Sequence, residues 1–326
     1  MTAHDQTFLG VETSPLPPLE NDESSSTQRK PTVAIMSFGE MGAGIASLLT
    51  LYSYPVVTNL DGRSDKTRER ARSLNVKVLP FAEMLAAASV FLSIVPPAEA
   101  LPLARKVADA YASLNGRSRT PLQYVDMNAI SPDLCKEIDG TITPSRITFI
   151  DGAIIGFPPK MLEDRTWFRP SIAIAGPELV EPWTRQLQSL LNFRHVGSAV
   201  GDASGLKMCF GAIYKGHAAI FIQAYTTAHQ MGVLEPLRKH LAEYFPSVAA
   251  IHESSMNGSQ RKAYRWIREM EEIQQTFQSH GGWGPELFAG VADVFRTVSR
   301  TDLERHSRDS VEETTATICQ PLEKRK

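Results

Sequence analysis

Short apolar runs alternate with charged, helix-compatible stretches through the first half of the chain. The run at 32–36 (TVAIM) ends in a glycine-rich turn, and the pattern then predicts a helix over 41–52. Strands are predicted at 55–60, closed by Asp61-Gly62, at 76–79, and at 90–95, stopped by Pro96-Pro97. Between them, 66–74, 81–88 and 101–114 have helical spacing, and 123–126, 148–151 and 171–175 add further strands. Strands this short and apolar, alternating with helices, predict a mostly parallel, doubly wound sheet covered on both faces. From about Val200 the strand signals stop. Residues 203–230 form one long helix-compatible stretch, followed by helices over 234–245 and 246–255. A stripe of Trp266, Met270, Ile273 and Phe277 predicts an amphipathic helix over 261–279, and Leu287, Phe288, Val291, Val294, Phe295 and Val298 predict another over 285–298. Such stripes read first as core. The expected organisation is a disordered tail at 1–30, an α/β domain at 31–197, an all-α domain at 198–305 and a frayed, polar tail at 306–326.

Composition narrows the class. With 326 residues the chain is too long for one ordinary core and long enough for two domains. Hydrophobic residues make up 42% and charged ones 21%, values of a globular protein. A net charge of -2 gives no electrostatic case for nucleic acid or an anionic membrane. Cys135, Cys209 and Cys319 are far apart and share no metal spacing, so no metal is expected and the thiols read as reduced, in a cytoplasmic protein. No apolar run approaches a bilayer span. The first 30 residues carry neither a secretory h-region nor the Arg-rich character of a transit peptide; Ser, Pro, Thr and acids dominate them, hence the tail.

The turn after the first strand reads Ser37-Phe38-Gly39-Glu40-Met41-Gly42-Ala43-Gly44. Strand, S-x-G-x-x-G, helix is the order of a dinucleotide-binding loop, with Ser37 standing where the first glycine usually stands. Gly39 would let the backbone approach a pyrophosphate, Gly42 would let the helix pack on the strand, and the helix N-terminus would face the phosphates. The alternative is a plain glycine-rich turn, which the surrounding strands and helices disfavour. After the second strand come Asp61-Gly62-Arg63-Ser64, with Lys66 nearby. An acid there suits the ribose 2′-hydroxyl of NAD, whereas an Arg–Ser pair suits the 2′-phosphate of NADP. NADP(H) is the expected cofactor, with NAD(H) the alternative if Asp61 holds the ribose.

These residues, together with S-I-V-P-P at Ser93–Pro97, D-M-N-A-I-S-P at Asp126–Pro132, D-G-A-I-I-G at Asp151–Gly156 and G-D-A-S-G-L-K-M at Gly201–Met208, resemble the β-hydroxyacid dehydrogenase and 6-phosphogluconate dehydrogenase superfamily. The likeness runs from about Pro31 to Leu303. The segment A-Y-R-W-I-R-E-M-E-E-I at Ala263–Ile273 resembles the C-terminal domain of a less characterised phosphogluconate dehydrogenase-like branch. The resemblance implies a Rossmann-type N-terminal domain, a helical C-terminal domain that binds substrate and pairs two copies into a homodimer, and a small-molecule substrate. It assigns Lys207 as the catalytic residue, and a positioned ammonium suits the charge that hydride transfer builds on a carbonyl oxygen. It also implies Asn128, Ile155, Gly156, Gly211 and Tyr214 at the substrate, and Ser37, Phe38, Gly39, Glu40, Met41, Gly42, Arg63, Ser64, Lys66, Ser93, Val95 and Pro96 at the cofactor.

Two departures matter. Relatives commonly carry asparagine where this chain has Gly211, so that contact is missing or supplied by Tyr214 or His217. Relatives also carry S-G-G where this chain has Ile155, Gly156 and Phe157, which implies a more apolar pocket. The expected activity is NADP(H)-dependent interconversion of a hydroxyl and a carbonyl on a small or medium organic molecule. Imine reduction ranks second, because imine reductases of this architecture usually carry Asp or Tyr at the position of Lys207. Oxidative decarboxylation would need a second acid, for which Glu269, Glu271 and Glu272 are the candidates. From a different class, a non-catalytic NADP-binding regulatory protein is the remaining reading.

Overall fold

The computed structural model describes residues 16, 30–114, 121–176, 179, 183–301 and 310–323. Apart from Leu16 and Lys30, the expected tail at 1–30 lies outside them. The chain divides into two compact units, one spanning Thr13–Lys207 and the other containing Met208–Lys326.

The first unit is built on an eight-stranded sheet. In chain order its elements are β1 (Val33–Met36), α1 (Glu40–Leu51), β2 (Val56–Thr58), α2 (Asp65–Ser73), β3 (Lys77–Val78), α3 (Phe81–Ala87), β4 (Val90–Ser93), α4 (Pro97–Ala112), β5 (Gln123–Asp126), α5 (Pro132–Ile142), β6 (Thr148–Ile155), a small hairpin of β7 (Lys160–Met161) and β8 (Trp167–Phe168), β9 (Ser171–Ala175), α6 (Arg185–Leu190) and β10 (Phe193–Gly197). The strand order is β10-β9-β6-β5-β4-β1-β2-β3, and every neighbouring pair is parallel except β6 with β9. From β1 the chain builds outward through β2 and β3, then returns to the other side of β1 with β4, β5 and β6. The reversal falls between β1 and β4, the switch point at which doubly wound sheets hold their ligands.

Alternation within β1 shows why both faces are covered. Val33 and Ile35 enter one core with residues of α1, α2 and α6. Ala34 and Met36 enter the other with residues of α3, α4 and α5. The expected doubly wound architecture is present. Sequence patterning did not signal α5, α6, β10 or the hairpin, and it ended β6 at Asp151, whereas that strand runs on to Ile155.

The second unit is helical. The helix α7 (Asp202–Gln230) begins in the first unit and continues into it, followed by α8 (Leu234–Tyr244), α9 (Pro246–Gly281), α10 (Glu286–Ser299) and α11 (Val311–Glu323). The expected stripes meet face to face. Trp266 packs edge-on against Phe295 and Phe277 against Phe288, each with ring centroids 5.0 Å apart. Leu287 is the exception and stays exposed. Two expectations fail here. The predicted break between 255 and 261 is absent, because α9 is one continuous helix of 36 residues. A single glycine, Gly258, costs such a helix only about 1 kcal/mol. The predicted frayed tail at 306–326 also fails. Residues 302–309 and 324–326 lie outside the described residues, but α11 is helical and buries Val311, Thr314, Thr315, Thr317, Ile318 and Cys319.

A charged network ties α11 down. Arg238 forms a fork with Glu253, at 2.9 and 3.2 Å, and pairs with Glu312 on α11. The buried Tyr225 donates its hydroxyl proton to Glu253 over 2.8 Å, and the Cys319 thiol reaches the Thr226 carbonyl. No helix among the described residues is long and apolar enough to cross a membrane.

Candidate active site

The turn between β1 and α1 lies at the switch point. Gly39 caps α1 with extended backbone (φ -70°, ψ -166°), and no side chain satisfies the first N–H groups of the helix. Those donors, at the positive end of the helix dipole, are what a phosphate needs. A Cβ on Gly39 would meet open space, so packing within the protein does not require a glycine there. Gly42 is glycine for the opposite reason. A Cβ there would sit 2.2 Å from the Ser37 carbonyl oxygen and 3.2 Å from Ile35. Helix α1 therefore packs hard on β1, as the sequence reading requires. Phe38 is fully buried, Ser37 and Met41 are half-buried, and Glu40 is exposed. Ser37 donates its backbone N–H to Ile94 after β4 (3.3 Å), joining the two loops that flank the switch point. Sequence reasoning missed Arg70, whose guanidinium donates to the Phe38 carbonyl (3.2 Å) and braces this loop from α2.

After β2, the side chain of Asn59 bonds both the carboxylate and the backbone N–H of Asp61, and Gly62 takes a left-handed φ of 69°. Asp61 is thus held in the turn. Arg63 and Lys66 are exposed beside it, free of ion pairs among the described residues. Ser64 is the N-cap of α2, its hydroxyl oxygen accepting from the Thr67 N–H, so it has a structural duty that sequence spacing alone did not reveal.

A polar row crosses the carboxyl edge of the sheet. Ser93, Asp126 and Asp151 are register neighbours on β4, β5 and β6, and all three are buried. Asn128 knits the row together. Its backbone N–H and its amide N–H reach the two oxygens of Asp126, each over 2.9 Å, while the amide also donates to the Ser93 hydroxyl (2.9 Å). The Asn128 carbonyl accepts the Val95 N–H (2.7 Å). These contacts give two of the expected site residues structural duties. Asn128 is hydrogen-bonded on every polar side and is 2% exposed, so it organises the strand ends. The Ser93 hydroxyl faces that same network, which leaves Val95 and the exposed Pro96 as the accessible part of the S-I-V-P-P turn.

Asp151 does different work. One carboxylate oxygen accepts the N–H groups of Gly201 (2.8 Å), Ala203 (3.0 Å) and Ser204 (3.3 Å), and the other accepts the Ser204 hydroxyl (2.7 Å). A buried carboxylate therefore holds the first turn of α7, which carries Lys207 one turn on. Lys207 is half-buried and makes no hydrogen bond or ion pair among the described residues. Burial lowers its pKa from the ordinary 10.5 to about 8, against the opposing attraction of Asp126. Burial raises Asp126 from 3.8 to about 7; the hydrogen bonds from Asn128 and the charge of Lys207 pull it down, and that of Asp151 pushes it up. Burial brings the lysine towards neutral pH.

Ile155, half-buried, ends β6, and Gly156 follows with a φ of 127° that only glycine adopts easily. Gly211 and Tyr214 belong to the helical unit. A Cβ on Gly211 would lie 3.3 Å from Ile273, so close packing of α7 on α9 accounts for that glycine without a substrate. The candidate second acids are all engaged. Glu269 pairs with Lys215, and Arg268 pairs with Glu271 (2.9 Å) and Glu272 (2.8 Å). No cluster among the described residues has the makings of a metal site.

Comparison with known proteins agrees with the fold. Residues 228–298 match a family described as a domain of unknown function, DUF1932. An uncharacterised 28.5 kDa protein of Methanothermus fervidus is 26% identical over 254 residues, covering 76% of this chain and 91% of its own. Among solved structures, a conserved protein of unknown function, described as structurally similar to 3-hydroxyacid dehydrogenases, is 26% identical with a TM-score of 0.58, over 84% of this chain and 98% of that one. The 3-hydroxyisobutyrate dehydrogenase of Mycobacterium tuberculosis, solved with L-serine, is 17% identical with a TM-score of 0.62, over 89% and 99%. An imine reductase from Myxococcus stipitatus, solved with NADP+, is 16% identical with a TM-score of 0.51, over 88% and 100%. The fold of this chain is the one these dehydrogenases and reductases share.

Proposed function

We propose that the protein is a nicotinamide-dependent oxidoreductase that interconverts a hydroxyl and a carbonyl group on a small or medium organic substrate, with Lys207 as the proton donor and acceptor. The observation that carries the reading is Lys207 itself. It is a half-buried lysine with a pKa near 8, held at the carboxyl edge of a doubly wound sheet by a buried aspartate that grips its helix.

The switch-point loop fits the cofactor. Gly39 leaves the approach open, the first N–H groups of α1 are uncapped, and Arg63 and Lys66 stand exposed where an adenosine 2′-phosphate would come. A bound nicotinamide supplies or removes the hydride at the substrate carbon. In the reducing direction the Lys207 ammonium stabilises the negative charge developing on the carbonyl oxygen and delivers its proton there, leaving a neutral amine that water recharges. In the oxidising direction the amine takes the hydroxyl proton. A pKa near 8 keeps both forms populated near neutrality. NADP(H) is favoured over NAD(H), because Asp61 is tied into its own turn by Asn59 while Arg63 is not. Substrate contacts from Ile155, Gly156 and Tyr214, a homodimer formed through the helical unit and a cytoplasmic location belong to the same proposal.

A panel of hydroxy acids assayed with NADP+ and of ketones assayed with NADPH, for wild type and Lys207→Met, tests this reading. Turnover should fall by about 100-fold or more in the variant, the scale of a positioned acid. Undiminished turnover would remove Lys207 from the chemistry.

A further inference from the structure

Arginines tie the glycine loop to the turn between β2 and α2. Arg70, on the second turn of α2, is half-buried and donates one guanidinium N–H to the Phe38 carbonyl (3.2 Å), one residue before the Gly39 cap of α1. Among the described residues its side chain makes no other hydrogen bond and no ion pair. The other arginines of α2 are employed elsewhere. Arg72 pairs with Glu69 (3.0 Å), and Arg68 donates its Nε–H to the Arg63 carbonyl (3.2 Å). Arg63 also donates its N–H to the Leu60 carbonyl (3.1 Å), so its backbone is clamped on both sides while its side chain stays exposed. Lys66 and Arg70 are four positions apart on α2 and share a face, and like charges at that spacing repel. Arg63 stands three positions before Lys66. No ion pair among the described residues neutralises Arg63, Lys66 or Arg70.

We propose that Arg70 is a specificity-determining residue for the cofactor, a second guanidinium that joins Arg63 in favouring the 2′-phosphate of NADP(H). The inference rests on the reading of the switch-point loop as a dinucleotide site. In such a site the glycine loop takes the pyrophosphate and the end of β2 reads the ribose 2′ position. Arg70, rooted on the helix that follows the second and bonded to the first, spans the two. A phosphate monoester carries close to two negative charges near neutral pH, and the Asp61 carboxylate adds to them in the same turn, so Arg63 alone does not balance the charge. The bond to Phe38 holds the Arg70 guanidinium in place beforehand, which leaves less side-chain freedom to lose on binding. Its planar fork suits phosphate oxygens.

The test is a binding titration of NADPH and of NADH against wild type and Arg70→Gln, read by energy transfer from tryptophan to the dihydronicotinamide. Glutamine keeps an N–H for the Phe38 carbonyl and removes the charge. The quantity read is the ratio of the two affinities, which a mere brace on the loop would leave unchanged because it serves both nucleotides alike. Arg70→Gln should lower the preference for NADPH by about 10-fold or more, the scale of a hydrogen bond to a charged group. 2′-AMP should displace NADPH less readily from the variant than from wild type, and 5′-AMP equally from both. If Arg70→Gln does not fold, Arg70→Met takes its place, with the same fall in the ratio expected. An unchanged ratio, including one in which both nucleotides weaken together, overturns the proposal, as does wild-type protein that binds NADH as tightly as NADPH. Wild type that binds neither nucleotide refutes the dinucleotide site itself and the proposal with it, an outcome distinct from an unchanged ratio.

Discussion

Replacing Asp151 with alanine removes one buried carboxylate and strands four donors: the N–H groups of Gly201, Ala203 and Ser204, and the Ser204 hydroxyl. An orphaned buried donor costs about 1–3 kcal/mol, and a lost helix cap alone costs about 0.5–2 kcal/mol. If water entering the space satisfies two of the four, the remaining two leave a cost of about 2–6 kcal/mol. Asp151→Asn keeps an acceptor oxygen for the N–H groups, and the Ser204 hydroxyl can turn to accept from the new amide. What it loses is charge assistance, worth about 1–2 kcal/mol over these contacts. Urea unfolding of the three proteins reads the totals, and amide hydrogen exchange at Ala203 and Ser204 reads the local effect. Exchange there should accelerate more in the alanine variant than in the asparagine one. An alanine variant that loses less than about 1 kcal/mol, or the same cost in both variants, would show that Asp151 does not anchor α7.

Two further outcomes follow from the geometry. Gly42→Ala places a methyl 2.2 Å from the Ser37 carbonyl, a backbone atom that cannot swing away, so thermal unfolding should show a loss of about 1–3 kcal/mol; full stability would mean the loop is loose. Stability should also depend on pH through the buried Asp126 and the half-buried Lys207. Asp126 has a raised folded pKa, so its contribution is complete below about 3.8 and is lost as pH rises through about 7. Lys207 has a depressed folded pKa, so stability lost below about 8 returns as pH rises towards 10.5. Denaturation midpoints across pH should show the first limb flattened in Asp126→Asn and the second flattened in Lys207→Met.

The parts of this site that sequence patterning carries are local. Ser37 to Gly44 announces its turn because strand, glycines and helix follow one another directly, and Gly42 meets the neighbours its position implies. Lys207 stands out through its motif. The rest depends on pairing across the sheet. Asp126 and Asp151 are 25 residues apart in sequence and become neighbours only through the β5–β6 register. The Asp151 cap on α7 spans 50 residues or more of chain, and no spacing rule reports it. Asn128 carries a substrate role by motif, but it turns inward because Ser93, Asp126 and Val95 use all its polar atoms. The α11 segment looks polar because threonines and glutamates fill it, yet Thr314, Thr315 and Thr317 lie against the core beside Ile318. Threonine methyls bury well when the hydroxyl bonds back to the preceding turn, as Thr315 does to Val311 and Thr317 to Glu313.

Whether the loop at Ser37 holds a cofactor is open to a single titration: NADPH and NADH added in turn to wild type and to Gly39→Val, followed by energy transfer from tryptophan to the dihydronicotinamide. The valine meets open space in the free protein and sits on extended backbone, so it should fold normally. Wild type should bind NADPH more tightly than NADH, and Gly39→Val should bind neither. Wild-type protein that binds neither nucleotide, or a valine variant that binds as well as wild type, would contradict the assignment of this loop and the oxidoreductase reading built on it.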